Sequence, residues 1–332
     1  MFARTLTTYA VAGAVALGAM TGVAAAKELS LSYFMGPKHP MNKAVFTPFA
    51  KKLAEVSGGK LTVKQFAGGA LNSAPPKQYS ILLKGVADIA FAIPGYTGQL
   101  FPITETISHP GVASNSVDGT TKLWNAMSLI EKEYKAKILA MWANHPPILI
   151  TKNKAVRSFA DLKGLKVRVP TAASVPYVEA MGASAVSQPV SVINQNLQNG
   201  TIDAIFIGSS AMRSFKLYEP GKYLTVGMPG SGSAFVLLMN QKVYNGLSAQ
   251  EKKWVDEASG QWLSKQGGAM YDKAAAGGMK LAKEKGLEII NLSDGERAKF
   301  QKAIEAELTK FKARKISGDL TGGDVIKAMN GM

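Results

Sequence analysis

Few residues in this chain are placed to do chemistry. Its 332 residues include no Cys and three His, at His39, His109 and His145. The absence of Cys excludes a disulfide scaffold, thiolate catalysis and Cys-ligated zinc or iron–sulfur centres. The His residues lie far apart, without the H-x-x-x-H or H-x-H spacing that chelates a metal, so neither a metal nor a cofactor is expected. No G-x-S-x-G elbow, P-loop or G-x-G-x-x-G turn occurs. Gly227-Met-Pro-Gly-Ser-Gly-Ser233 lacks the Lys-Ser/Thr pair of a phosphate loop and reads as a crossover loop. Asp88 and Asp203 read as turn residues, and no carboxylate pair suited to acid/base work stands out. These exclusions favour a binding protein over an enzyme, with a secreted hydrolase as the remaining enzymatic alternative.

The residue best suited to binding is Arg168. It interrupts the apolar segment Leu165–Val169, with Val167 and Val169 on the opposite strand face. A guanidinium pairs bidentately with a carboxylate, and the pairing strengthens as water leaves a closing cleft. The competing reading is a solvated strand face carrying Lys166 and Arg168 together. Further candidates lie at strand ends, where α/β clefts open. Phe34, Met35 and His39 follow the first strand, Phe66 ends the second, and Pro94 and Tyr96 follow the third. Trp142, Asn144 and His145 fall in a crossover region, and Phe206 and Ser209 follow a later strand. Aromatic residues in such places more often pack than bind. His145, beside Pro146-Pro147, serves equally as a ligand's hydrogen-bond partner or as a structural residue.

Strands alternating with helices must position these groups. Strands are expected at 29–34, 60–66, 89–93, 138–142, 148–151, 165–169, 204–208, 223–226 and 234–239, and helices at 42–57, 76–84, 118–135, 174–181 and 190–198. The pattern predicts an α/β fold with largely parallel sheets. One internal repeat organises it. Gly85-Val-Ala-Asp88-Ile-Ala-Phe91 and Gly200-Thr-Ile-Asp203-Ala-Ile-Phe206 share their spacing, 115 residues apart. Each describes a helix stopped by Gly, a turn with Asp, and a buried strand. Each is preceded by a Lys-rich strand, 60–66 or 163–169, so two duplicated α/β lobes are expected.

The C-terminal third is helical. Ser248-Ala-Gln-Glu251 is a capping box, and no Pro interrupts the pattern before Gly286. A helix of that length, about 57 Å at roughly 1.5 Å per residue, must span both lobes or bend. Gly267-Gly268 and Gly277-Gly278 are the expected bends. Ser293-Asp-Gly-Glu296 caps a second helix to about Arg314.

The N-terminus carries an address. Met1-Phe-Ala-Arg4 precedes an uncharged Ala/Gly-rich run that ends in Ala24-Ala25-Ala26, the pattern of a signal peptide cleaved after Ala26. Residues 1–26 are therefore an export segment, and the mature protein is expected in the periplasm. The net charge is +16, but the Lys residues are scattered and no basic block interleaves with aromatics, so nucleic acid is not an expected partner. A basic surface suits attraction of small anions.

Several segments together resemble the DctP-like solute-binding subunits of TRAP (tripartite ATP-independent periplasmic) transporters. They are Gly68-Gly-Ala-Leu71, Gly85-Val-Ala-Asp88-Ile-Ala-Phe91, Phe159-Ala-Asp-Leu-Lys-Gly-Leu-Lys-Val-Arg168-Val-Pro170, Met181-Gly-Ala183 and the stretch from Leu197 to Asp203. The resemblance covers the mature chain and is most specific at 161–170. It implies a two-lobed periplasmic-binding-protein (Venus-flytrap) fold with crossing hinge strands and a long lobe-spanning helix. With the repeat, it puts 27–145 plus 233–272 in lobe I and 146–232 plus 273–332 in lobe II. Arg168 matches the family's carboxylate-clamping Arg. In sialic-acid-binding relatives the positions matching Ile93, Ile148 and Ile207 carry polar or charged groups, including a second Arg at Ile148. Three Ile imply an apolar cavity beyond one clamped carboxylate, and hence a monocarboxylate with an apolar or aromatic body. The expected partners are that small-molecule carboxylate and the membrane permease subunits, served by a monomer. A binding protein that serves a sensor is the alternative within the same fold.

Overall fold

The computed structural model describes residues 26–332. The expected export segment, apart from Ala26, lies outside the described residues. Eleven strands build two sheets: β1 (Lys27–Ser32), β2 (Leu61–Phe66), β3 (Ile89–Ala92), β4 (Ala136–Ala143), β5 (Pro147–Thr151), β6 (Lys166–Val169), β7 (Ser184–Ser187), β8 (Ala204–Gly208), β9 (Tyr223–Val226), β10 (Ala234–Asn240) and β11 (Glu288–Asn291). The first sheet has the order β2-β1-β3-β10-β4 and the second β11-β9-β5-β8-β6-β7. In each, a parallel trio, β1–β3 or β6–β8, is joined to a strand that runs against it. Helices cover the sheets, and separate apolar cores form on their faces.

The repeat is visible atom by atom. Gly85 and Gly200 take φ of 74° and 72°, the left-handed conformation that ends each helix. Asp88 then accepts the Ser30 backbone N–H at 2.8 Å, and Asp203 accepts the Lys166 backbone N–H at 2.8 Å. Both carboxylates therefore tie a turn to the neighbouring parallel strand. The partner of β6 in this symmetry is β1, since Leu31 pairs with Ile89 as Val167 pairs with Ala204. The likeness expected between 60–66 and 163–169 is thus corrected: β2 flanks β1 from outside, as β7 flanks β6.

Two strand-to-strand crossovers join the lobes, besides the long helix Gln261–Glu284. The chain leaves the first sheet at the end of β4 and enters the second at β5, then returns from β9 to β10. They are stitched together, for the Ser233 N–H donates to Asn144 Oδ1 at 2.6 Å and the Asn144 N–H to the Ser233 carbonyl at 3.1 Å.

The expected 38-residue helix is instead two. Ala249–Glu257 keeps its Ser248–Glu251 capping box, Gly260 breaks the chain with φ 95°, and Gln261–Glu284 continues unbroken for 24 residues. A Cβ at Gly267 would strike the Trp142 ring, and one at Gly278 would strike the Ser209 carbonyl. These glycines let the helix lie close to both lobes. The helix expected over 118–135 is likewise shorter, Ser116–Asn125, and it ends where Ala126 leaves helical geometry. One lobe assignment also changes. Val325 and Met329 of the terminal helix Gly322–Met329 pack into the core of the first sheet beside Leu123 and Met141, although 273–332 was expected in lobe II. Among the described residues, no helix is long and apolar enough to cross a membrane.

Candidate functional site

A cavity opens between the lobes. Lobe I contributes Phe34, Met35 and His39 from the loop after β1, Phe91 and Ile93 from β3 and its end, and Phe235 from β10. Lobe II contributes Arg168, Pro170, Val190 and Ile207, and the turn after β8 adds Ser210 and Ala211. Asn144 and Ser233 stand at the crossovers, and Tyr271 enters from the long helix.

Arg168 reaches this cavity because β6 alternates. Val167 and Val169 enter the apolar cluster on one face, Lys166 is exposed, and Arg168 is 1% exposed on the other face. The solvated-face reading therefore fails for Arg168. Its Nε and Nη2 both donate to the Gln188 carbonyl, at 2.9 and 2.6 Å. Its Nη1 is buried without a partner. Burial lowers the guanidinium to about 10, with the Tyr96 phenol beside it pulling the other way, so it stays cationic at neutral pH. Among the described residues no carboxylate pairs with it, and a buried cation without an anion is a costly arrangement that a bound carboxylate relieves.

The other candidates divide. Phe34 packs against the apolar clusters of both lobes, so it sits where they meet. Tyr96 crosses the interface, its hydroxyl oxygen accepting the Val190 N–H at 3.0 Å. Ile93 and Ile207 form wall, and Asn144 spends its Oδ1 on Ser233. His39 Nδ1 accepts the Met41 N–H at 3.3 Å, and burial lowers the ring to about 4, so it is neutral. Seven expected residues stand off the cavity wall, among them Pro94, which is buried beside Tyr79 and Phe101. Trp142 is fully buried, stacked on Phe91 and Phe235 in the first core. Phe66 runs along β1, with Lys64 over its ring. Ile148 pairs across the ladder with Ile207 inside the lobe II cluster. Phe206 belongs to the cluster on the opposite sheet face, as strand alternation from Ile207 requires. Ser209 donates to the Ala275 carbonyl of the long helix at 3.0 Å. His145 Nδ1 lies 3.1 Å from the Pro146 carbonyl.

Phe91, Phe235 and Tyr271 escaped the sequence reading. Phe91 sits in the repeat and reads as core. Phe235 lies in a strand apolar on both faces, where alternation is silent. Tyr271 lies on a long helix whose cavity-facing side no motif marks.

A second contact between the lobes lies nearby. Glu105 is buried against Thr171, which follows β6. Burial, and more weakly the Glu133 carboxylate, pushes it up to about 7 against the lowering pull of the Thr171 and Ser108 hydroxyls. His109 Nδ1 meets the Tyr177 hydroxyl at 2.5 Å across the same junction.

A two-lobed frame with a buried, unpaired guanidinium in its cleft suits capture of an organic anion. The model of the DctP family, described as bacterial extracellular solute-binding protein, family 7, matches residues 31–315. The chain belongs to this family. Similar proteins include the outer membrane transporter protein TsaT of Comamonas testosteroni, 27% identical over 295 residues and covering 84% of this chain and 85% of that one. A marine metagenome TRAP solute-binding protein specific for aromatic acid ligands, solved with metahydroxyphenylacetate, superposes with a TM-score of 0.83 at 29% identity, covering 91% and 96% of the two chains. A TRAP solute-binding protein from Rhodoferax ferrireducens T118, solved with copurified benzoate, gives 0.83 at 26% identity, again covering 91% and 96%. This DctP-family chain is a TRAP solute-binding subunit, a class that binds small organic acids and works with membrane permease components. The family is one of binding proteins, not of enzymes.

Proposed function

We propose that this subunit captures an aromatic monocarboxylate. The observation that carries the reading is the Arg168 guanidinium, held by Gln188 and unpaired at Nη1, facing walls of Phe34, Phe91, Ile93, Ile207 and Phe235. One fork takes one carboxylate, and the apolar remainder favours a ring, each large buried apolar group contributing about 1.5–3 kcal/mol. A second carboxylate or several hydroxyls would lose water without compensation. The benzoate and metahydroxyphenylacetate held by similar proteins support the same ligand class.

The acid first meets one lobe and closure covers it with the other, driven by contacts made only in the closed form. The lobes are 27–145 plus 233–272 and 146–232 plus 273–314, with residues 315–329 returning to lobe I, where Ile316, Leu320, Val325 and Met329 pack. The mature chain, freed of 1–26, works as a periplasmic monomer that passes its ligand to the permease. A thermal-shift screen of organic acids on residues 27–332 tests this. Benzoate-type acids should raise the melting temperature most. Dicarboxylates or sugar acids giving the larger shifts would overturn it.

A further inference from the structure

Resting on that reading, we infer that Tyr271 and His39 together recognise a hydroxyl on the ring of the bound acid. Arg168 belongs to the lobe II wall. Tyr271 belongs to the opposite wall, its ring stacked on Phe235 at 5.0 Å between centroids within the lobe I core. His39 lies edge-on to Tyr271, 6.4 Å between ring centroids. An acid whose carboxylate sits on Arg168 directs its body toward this pair.

Their hydrogen-bonding states are complementary. His39 Nδ1 is occupied as an acceptor by the Met41 N–H, which leaves the proton on Nε2. Among the described residues, neither Nε2 nor the Tyr271 hydroxyl has a hydrogen-bond partner, and both residues line the cavity. A phenolic oxygen accepts from His39 Nε2–H, while its own hydrogen is donated to the Tyr271 oxygen. A hydroxyl accepts from one residue and donates to the other, so it alone gives the Tyr271 oxygen a donor as well as accepting from His39. An ether or halogen supplies no donor. A carboxylate would bring a charge to two neutral groups, since burial holds the imidazole unprotonated and the phenol protonated. The groups facing the pair are Tyr96 and, beyond it, Arg168. The long helix therefore contributes to specificity as well as to joining the lobes.

Calorimetry on the mature protein with benzoate and its 2-, 3- and 4-hydroxy derivatives tests the inference. At least one hydroxybenzoate should bind about fivefold or more tighter than benzoate, the worth of one net hydrogen bond. In Tyr271→Phe the ratio of the two dissociation constants should fall toward one. His39→Asn, which keeps an acceptor for Met41 but removes the Nε2–H, should act likewise. Equal loss for benzoate and the hydroxy acid, or benzoate binding as tightly as every derivative, would overturn the inference and leave the aromatic-acid reading intact. Failure of all four acids to bind would overturn both.

Discussion

The Gln188 carbonyl receives two hydrogen bonds from Arg168, at 2.9 Å from Nε and 2.6 Å from Nη2. That oxygen occupies the side edge of the guanidinium and fixes its plane, leaving Nη1 and the outer hydrogen of Nη2 as a free fork. The hydrogen bonds orient the charge without neutralising it, so the group is prepared for an anion before one arrives.

The apolar wall is a second requirement. Ile207→Asn places an amide against the body of the ligand. It should weaken benzoate binding about tenfold, because an unpaired polar group costs about 1–3 kcal/mol on losing water. Calorimetry with a parallel melting curve checks this, and an unchanged dissociation constant would show that Ile207 does not meet the ligand.

Adjacent glycines of the long helix should respond oppositely. A Cβ at Gly277 meets nothing within 4 Å, so Gly277→Ala should stabilise by about 0.5–1 kcal/mol. Gly278→Ala drives a methyl into the Ser209 carbonyl and should destabilise by about 1–3 kcal/mol. Urea unfolding of the two variants reads the difference directly. Equal shifts would mean that the helix does not approach lobe II as closely as Gly278 requires.

Glu105 should make stability depend on pH. Its carboxyl rises from an ordinary value near 4.5 to about 7 in the folded protein, so folding favours the protonated form. The contribution is present in full below about 4.5 and is lost as pH rises through about 7. The loss is on the order of 3 kcal/mol. Glu105→Gln should therefore match the parent near pH 4 and exceed it at pH 8. The comparison must be with the parent, because His39 and His109 act in reverse. Burial lowers them to about 4 and about 3, and their contribution disappears as pH falls below the ordinary 6.5. Melting curves from pH 4 to 8 that keep the two proteins a constant distance apart would refute this.

Much of the fold could be read in the sequence because it is written locally. Gly85 and Asp88, with Gly200 and Asp203, carry their turn chemistry in four residues each, and the α/β order follows. Arg168 was legible through the Asp161–Pro170 segment that resembles the family, because the strand pattern alone, with Lys166 on the same face, also fits a solvated face. What escaped depends on distance. Nothing near Gly267 or Gly278 says whether a glycine bends a helix or admits a neighbour, since Trp142 and Ser209 come from elsewhere in the chain. Strand ends mark the mouth of a cleft but not which face looks into it. Ile207 faces the cavity while Phe206, one residue earlier, faces the opposite core. Tyr271 was invisible for the same reason, a helical residue whose role is set by Phe235 and His39.

The central claim is that one buried guanidinium holds the acid, and calorimetry of Arg168→Ala with benzoate tests it most directly. Removing one partner of a buried pair costs about 3–5 kcal/mol, so the dissociation constant should rise by roughly two to four orders of magnitude while the protein stays folded. A folded Arg168→Ala protein that binds benzoate as tightly as the parent would contradict the account.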